Sequence, residues 1–167
     1  MLAGFGMAGT DGGVATAISQ AAGSAIGGMT AGGGLAAGYD GNTNQAAAAS
    51  AQSSSNSSGY VLANSIGKDW GAGIVRTISK AVITAPNNNP LIAGVRNYKL
   101  QGSTDNFSAS TIDLTAGIAS TNINGEILTI QGSTIDTSQS YRYHRLIVDG
   151  DGANGVFVCE IVWYEDL

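Results

Sequence analysis

The sequence has little charge, cysteine, histidine or proline. Charged residues make up 11% of its 167 residues, and it has one cysteine, one histidine and two prolines. A single cysteine excludes an internal disulfide. Cys159 lies in the apolar run 156–159, which is typical of a buried, unreactive thiol. Nothing in the sequence brings His144 to Cys159 as the base that a catalytic thiol needs.

Basic residues are scarce and scattered. All seven Lys and Arg fall between Lys68 and Arg145 without a dense run, and the net charge is −5. Phosphate binding needs clustered cations, so we expect no nucleic-acid partner. No carboxylate pair, nucleophile–base set or cluster of His and Cys stands out either. We therefore expect a protein that is not an enzyme.

Glycine and alanine dominate the first part of the chain. Residues 1–35 contain eleven glycines and a single charge, Asp11. Glycine loses much entropy on ordering, and such small side chains bury too little apolar area to compensate. We interpret 1–35 as an anchor tail, separate from a domain at 36–167, that other proteins hold in a larger assembly. A short helix is expected over 14–25.

A membrane span is the alternative for this tail. Residues 12–39 are uncharged, and their glycines include pairs four residues apart, a spacing that favours helix packing in membranes. Large apolar residues, flanking basic residues and aromatic belts are lacking, so we disfavour the span. Residues 1–6 have neither a basic nor a compact apolar region, so we expect synthesis in the host cytoplasm without a signal peptide.

The composition changes at the turn formed by Asp40, Gly41, Asn42 and Thr43. Gly and Asn tolerate positive φ, and Asp and Asn side chains can accept hydrogen bonds from nearby backbone. The same turn gathers oxygens from Asp40, Asn42 and Thr43, which are the ligands that calcium prefers. The residues alone leave two interpretations open, a plain turn and a cation site.

Strand-like alternation follows to the end of the chain. Turn signals recur every 8 to 15 residues and no helical period appears after residue 60. This pattern predicts an all-β sandwich or barrel of about eight strands. Ile127, Leu128 and Ile130 are candidate core residues. The predicted strands are 60–63, 66–71, 74–84, 95–102, 110–116, 124–130, 141–149 and 156–164.

A series of landmarks resembles the discoidin, or coagulation factor 5/8 type C, family. These landmarks are YDGNT at 39–43, IGKDWG at 66–71, VRTI at 75–78, YKLQGSTDN at 98–106, YRYHRL at 141–146 and EIVWY at 160–164. They occur in the family's order. The resemblance implies a galactose-binding-like jelly-roll β-sandwich over residues 36–167, the fold also found in carbohydrate-binding modules.

The resemblance also implies a structural cation. Many members hold one with the turn aspartate, a nearby Asn or Thr, local carbonyls and a glutamate on the last strand. In this sequence those residues are Asp40, Asn42 or Thr43, and Glu160. A carboxylate inside the apolar strand 156–164 otherwise lacks a reason, because an unpaired buried charge is costly. We expect calcium or another cation to join the start of the domain to its final strand.

The family binds its ligands in loops that vary between members. Loop residues that could contact a sugar are Asn87, Asn88, Asn89, Arg96, Asp105, Asn106 and Phe107. The alternative for each is a solvated loop residue. Arg142 and Arg145 resemble structural arginines of the family. His144 is expected to be a packed, hydrogen-bonded histidine.

The two halves together suggest a component of a bacteriophage or phage-like particle. In this interpretation residues 1–35 dock into other virion proteins, the chain forms a homo-oligomer with a trimer as the first expectation, and the sandwich contacts host-surface glycans. One alternative is a purely structural decoration or adaptor protein that uses the sandwich for protein contacts. Another is a membrane-anchored surface lectin, which would need detergent to stay soluble.

Overall fold

The computed structural model describes residues 14–90 and 97–166, and strands dominate both stretches. Apart from two single turns of 3-10 helix, the helical structure in these stretches is α1 at Gly34–Ala37. No helix in this part of the chain is long and apolar enough to cross a membrane. The strands are β1 Ala15–Ala17, β2 Ser24–Gly27, β3 Ala31–Gly32, β4 Ala51–Gln52, β5 Ser58–Asp69, β6 Ile78–Thr84, β7 Asn97–Ser103, β8 Ile112–Asp113, β9 Ile118–Ala119, β10 Ile127–Gln131, β11 Tyr143–Asp151, β12 Phe157–Val158 and β13 Glu160–Asp166.

The strands form two main antiparallel sheets. The larger sheet has the order β2-β5-β11-β7-β8, with β9 also paired to β7. The smaller has the order β1-β13-β6-β10, and a third, short sheet has the order β12-β4-β3. The prediction of an all-β sandwich is confirmed.

The core lies between the two main sheets and follows from the alternation of side chains along each strand. On β11, Leu146 and Val148 are fully buried and belong to the same cluster as Ile161 and Trp163 on β13. His144 shares the buried face of β11, and its Nδ1 accepts a hydrogen bond from Trp70 Nε1 at 2.8 Å. The prediction of a packed, hydrogen-bonded histidine is confirmed.

Several predicted strand limits change because tertiary pairing overrides local turn signals. The segments predicted at 60–63 and 66–71 are one strand, β5, which pairs along β11 with an irregularity between Ile147 and Asp149. Ile127 was predicted in the core but is 67% exposed, because the alternation of β10 turns Leu128 and Ile130 inward.

The described part of the glycine-rich tail is paired with the sandwich. The predicted helix over 14–25 is wrong: β1 pairs with β13, and β2 pairs with β5 from Ser24↔Asp69 to Gly27↔Ile66. A Cβ on Gly28 would lie 2.3 Å from the carbonyl oxygen of Leu62, so glycine allows this close approach. The strand pairing therefore extends upstream of the predicted domain boundary at residue 36. Residues 1–13 lie outside the described part of the chain.

Candidate functional site

The predicted turn at 40–43 lies against the beginning of the last strand. Gly41 N–H donates to Glu160 Oε2 at 3.0 Å, and Ile161 N–H donates to the carbonyl oxygen of Gly38 at 2.9 Å. Gln20 Nε2, from the N-terminal segment, donates to Glu160 Oε1. We call the cluster of Gln20, Asp40, Gly41, Lys68 and Glu160 the seam, because it joins four distant parts of the sequence.

Two oppositely charged side chains are buried at the seam. Glu160 is 2% exposed, and burial, reinforced by the charge of Asp40, raises its pKa to about 7. Lys68 is also buried, which lowers its pKa despite the opposing effect of Glu160. Lys68 Nζ donates to the carbonyl oxygen of Gln20 at 2.7 Å and lies 4.1 Å from the ring centroid of Tyr39. Other groups of the protein therefore supply most of the hydrogen bonds that the buried Glu160 and Lys68 side chains make.

Two of the residues predicted to hold a cation, Asp40 and Glu160, lie at this seam. Asp40 accepts hydrogen bonds from Asn42 N–H at 2.8 Å and from Gln45 Nε2 at 2.6 Å, while Thr43 is exposed. Gln45 Oε1 is buried and has no hydrogen-bond partner within the described residues. Two neighbouring carboxylates and an unpaired amide oxygen fit the oxygen ligands of a hard cation. The described residues contain no cluster of three or more His, Cys, Asp and Glu for a metal, so such a site would depend on amide and carbonyl oxygens.

A second feature occupies the outer face of the larger sheet. Strand register places Ile26, Gly67, Arg145, Gln101 and Asp113 in one row across five strands. Residues directly opposite each other project from the same side of a sheet. Because Leu146 and His144 face the core, this row faces outward. Gly67 contributes no side chain between Ile26 and Arg145.

The loop after β7 brings an aromatic ring to this face. Asn106 and Phe107 adopt left-handed backbone conformations with φ of 59° and 62°. Such conformations are unusual and costly for residues other than glycine. The loop is held by Ser103 Oγ, which accepts from Phe107 N–H at 2.9 Å, and by Asp105, which accepts from Ser110 N–H at 2.9 Å. Desolvation opposes ionisation of Asp105, but hydrogen bonds from Ser110 and Ser103 lower its pKa below the ordinary value.

The loop and the sheet enclose a groove of about 360 Å³. We call it the outer-face groove; its lining includes Ile26, Leu35, Leu62, Asn106, Phe107 and Arg145. The guanidinium carbon of Arg145 lies 3.9 Å from the ring centroid of Phe107, and Arg145 Nε donates to Gln101 Oε1 at 2.8 Å. Partial burial lowers the Arg145 pKa, with Asp113 opposing the shift. The side chain keeps its charge at neutral pH because arginine starts from so high a value.

The predicted ligand residues divide between separate places. Asn106 and Phe107 line the outer-face groove, and Asp105 holds their loop. The asparagines at 87–89 do not line it. Asn87 N–H donates to the carbonyl oxygen of Gln45 at 2.9 Å, and Asn88 Oδ1 accepts from Ala47 N–H at 2.8 Å, so both support the chain that follows the turn at 40–43. Arg96 lies outside the described residues.

Sequence reasoning missed the role of Arg145 and of the N-terminal segment. Arg145 was predicted to be a structural arginine. Its position between the inward-facing His144 and Leu146 predicts instead that its side chain points outward. Ile26 and Leu35 carry no local signal for a groove, since their position depends on β2 pairing with the edge of β5.

Comparison with known proteins identifies the fold. No protein-family model and no curated protein matches the chain. Among solved structures, CBM62 from Clostridium thermocellum Xyl5A is 18% identical with a TM-score of 0.61, covering 86% of this chain and 94% of that one. The family 32 CBM from C. perfringens NanJ, in complex with galactose, is 16% identical with a TM-score of 0.61, covering 91% and 100%. An F5/8 type C domain from Bacteroides fragilis is 13% identical with a TM-score of 0.58, covering 91% and 97%. The resemblance noted in the sequence is confirmed at the level of fold.

Proposed function

We propose that this sandwich of discoidin, galactose-binding-like fold is a non-enzymatic glycan-binding protein, and that the outer-face groove is its binding site. One observation carries the proposal. An aromatic ring, a guanidinium and a side-chain amide, from Phe107, Arg145 and Asn106, meet in one concave site. Its volume of about 360 Å³ is within the range of small-ligand sites.

The chemistry of the groove suits a sugar. A pyranose ring has C–H groups that pack on an aromatic side chain such as Phe107, and hydroxyls that need donors and acceptors. Asn106 offers both an amide donor and an acceptor. One structural neighbour, the NanJ module, has its structure in complex with galactose.

Glycan binding to the full chain tests this proposal. We expect immobilised glycans to retain the protein, and Phe107→Ala to weaken binding at least about tenfold, which corresponds to roughly 1.4 kcal/mol. Ile127→Ala is the matched control, because Ile127 is an exposed apolar residue on the smaller sheet. Isothermal titration calorimetry with the best glycan gives the affinities of all three proteins.

Two outcomes would contradict the proposal. Binding to no glycan by the folded wild-type chain would favour the alternative of a decoration or adaptor protein. Equal affinities for the wild type and Phe107→Ala would place any glycan site elsewhere, for example at the loop containing Asn87, Asn88 and Asn89.

We also propose that calcium binds at the seam, through Asp40 and Glu160 with oxygens of Asn42 or Thr43. The support is the pair of neighbouring carboxylates and the unpaired Gln45 Oε1. Calcium at 100 times its dissociation constant should stabilise the fold by about 2.7 kcal/mol, so a chelator should lower Tm. Asp40→Ala should lower Tm and abolish the chelator effect. If adding calcium to chelator-treated wild-type protein leaves Tm unchanged, the proposal of a calcium site is contradicted.

The location of the protein in a phage or phage-like particle is a further part of this proposal. It is supported by the glycine- and alanine-rich composition of residues 1–35, of which the strands at 15–17 and 24–27 pair with the sandwich itself. We expect a homo-oligomer, first a trimer, that docks on other virion proteins and displays the groove outward. Light scattering of the purified chain measures the oligomer, and antibody labelling of purified particles tests the location. A monomer absent from all particles would overturn this part and leave the glycan site standing.

A further inference from the structure

Arg145 has unused hydrogen-bonding capacity. Its Nε is occupied by Gln101 Oε1 and its plane is covered by Phe107, but its terminal Nη atoms have no hydrogen-bond partner among the described residues. Within the same part of the chain, these atoms are not among the polar atoms that are both buried and unpaired, so they are accessible to solvent. The guanidinium is therefore held at two points and still has free donors.

The charge of Arg145 is not cancelled within the groove. No acidic residue lines the groove in the described part of the chain. The nearest acidic influence is Asp113, which already accepts from Lys99 Nζ at 2.7 Å and from Gln101 Nε2 at 2.7 Å. Lys99 interacts with both Asp113 and Asp149, and Arg145 is the one charged side chain among the described residues that line the groove. The chain as a whole carries −5, so a cationic groove is a local departure from its overall charge.

Gln101 fixes the orientation of the Arg145 guanidinium. Its Nε2 donates to Asp113 Oδ1 and its Oε1 accepts from Arg145 Nε at 2.8 Å, so the amide is fixed at both ends. A guanidinium fixed in this way loses little entropy when its remaining N–H groups bond a ligand. Two parallel N–H donors match the two oxygens of a planar carboxylate.

We propose that the outer-face groove selects a carboxylated sugar, such as a uronic or sialic acid residue of an acidic glycan, and that Arg145 binds its carboxylate through the Nη atoms. This inference rests on the proposed glycan-binding function and specifies its ligand class. Phe107 packs on the C–H groups of the sugar ring, and Asn106 bonds its hydroxyls. Ile26 and Leu35 give the groove an apolar side next to these polar groups.

The test compares sugars that differ only in the charged group. Trigalacturonate and its methyl ester share one ring structure, but the ester lacks the negative charge. Sialyllactose and its methyl ester form a second pair, and a galactose sulfate tests whether any anion suffices. Titration calorimetry of the full chain should give at least about tenfold tighter binding of the acid than of its neutral partner in at least one pair, with affinity falling as salt is raised.

Variants assign the preference to Arg145. Arg145→Gln should remove the preference for the acid, so that the acid and its neutral partner bind this variant with affinities within about twofold of each other. Arg145→Lys keeps the charge but loses the planar fork, and should retain only part of the preference. Lys80→Gln is the control, since it removes one positive charge from the smaller sheet, where Lys80 lies over the ring of Tyr164. Thermal unfolding of each variant checks that it is folded.

The outcomes separate this inference from the proposed function. Equal binding of acid and neutral partner, with loss of both in Phe107→Ala, overturns the carboxylate and leaves the glycan site in place. Binding of the sulfate but of neither acid overturns the carboxylate in favour of a sulfated sugar. If Arg145→Gln does not fold, Arg145→Lys becomes the test. A preference for the acid that is kept in full by Arg145→Lys contradicts binding of the carboxylate by the planar guanidinium. Failure of the wild type to bind any of these sugars or any arrayed glycan overturns both proposals.

Discussion

The seam and the outer-face groove both contain charged side chains, but they use them in opposite ways. At the seam, Glu160 accepts hydrogen bonds from Gly41 and Gln20, and Lys68 donates to a backbone carbonyl within the fold. In the groove, Arg145 keeps donors that no described residue uses.

The difference separates a stabilising cluster from a proposed binding site. A buried charge must be paired or hydrogen-bonded by the protein, since leaving it alone is costly. A charge at the surface of a groove is stabilised by water and can still bind a ligand. Changes at the seam should therefore affect stability, whereas changes in the groove should affect binding.

The largest effect is expected from Glu160→Ala. It leaves the donors of Gly41 and Gln20 without their acceptor and removes the charge that raises the pKa of the buried Lys68, so it should lower the free energy of unfolding by about 3 to 5 kcal/mol. Denaturant unfolding with chelator present measures this. Glu165→Ala is the control on the same strand; its ion pair with Arg76 is partly exposed and should contribute less than about 1 kcal/mol. Equal losses in the two variants would remove the distinction between the seam and an ordinary surface pair.

The pH dependence should reveal two opposite contributions. Burial lowers the pKa of His144 from 6.5 to about 3, so the unfolded chain binds more protons and this contribution is lost as pH falls below 6.5. The pKa of Glu160 is raised from 4.5 to about 7, so the folded chain binds more protons and this contribution is lost as pH rises from 4.5 to 7. Between pH 4.5 and 6.5 the two should largely cancel.

Single variants separate these contributions. Glu160→Gln should leave a free energy of unfolding that falls as the solution is acidified, because only His144 then remains. His144→Phe should leave one that rises on acidification over the same range. Unfolding curves at pH 4.5, 5.5 and 6.5, with chelator present, measure both slopes. Identical slopes in the two variants would show that neither group titrates differently on folding.

A smaller effect is expected where the N-terminal segment meets β5. Gly28→Ala places a Cβ 2.3 Å from the carbonyl oxygen of Leu62, and should cost about 1 to 3 kcal/mol through strain. Gly117→Ala is the control, because its nearest neighbour atom would lie 3.5 Å away. Hydrogen exchange should increase over residues 24–32 in Gly28→Ala but not in Gly117→Ala. Unchanged protection would mean that the segment holds its place without this close approach.

The smallest effect on stability is expected from Arg145→Gln. Its guanidinium makes one hydrogen bond and one ring contact at a partly open site, so the free energy of unfolding should change by less than about 1 kcal/mol. The same denaturant series measures it. A loss as large as that of Glu160→Ala would make Arg145 a structural residue and erase the contrast between groove and seam.

Parts of both sites follow from sequence. The Asp-Gly-Asn pattern predicts the turn. The charge of Glu160 within an apolar strand supports the prediction of a cation there, and the cation stays a prediction. Asn106 and Phe107 follow a strand in a polar loop, which favours a role at the surface. Lys68 could not be assigned to the seam, because its local sequence predicts a solvated residue of a strand. Its burial depends on contacts with Gln20 and Tyr39, which lie far away in the sequence.

The β-sandwich and most of its core could be predicted from sequence, because alternation with a period of two dictates which side chains can be buried together. The course of the glycine-rich segment could not, since glycine and alanine carry almost no side-chain information about their partners. Tertiary pairing places that segment on the edge of β5, where free backbone groups accept it as a strand. Strand register then sets Ile26 and Arg145 in one row, because pairing aligns residues that lie far apart in the chain.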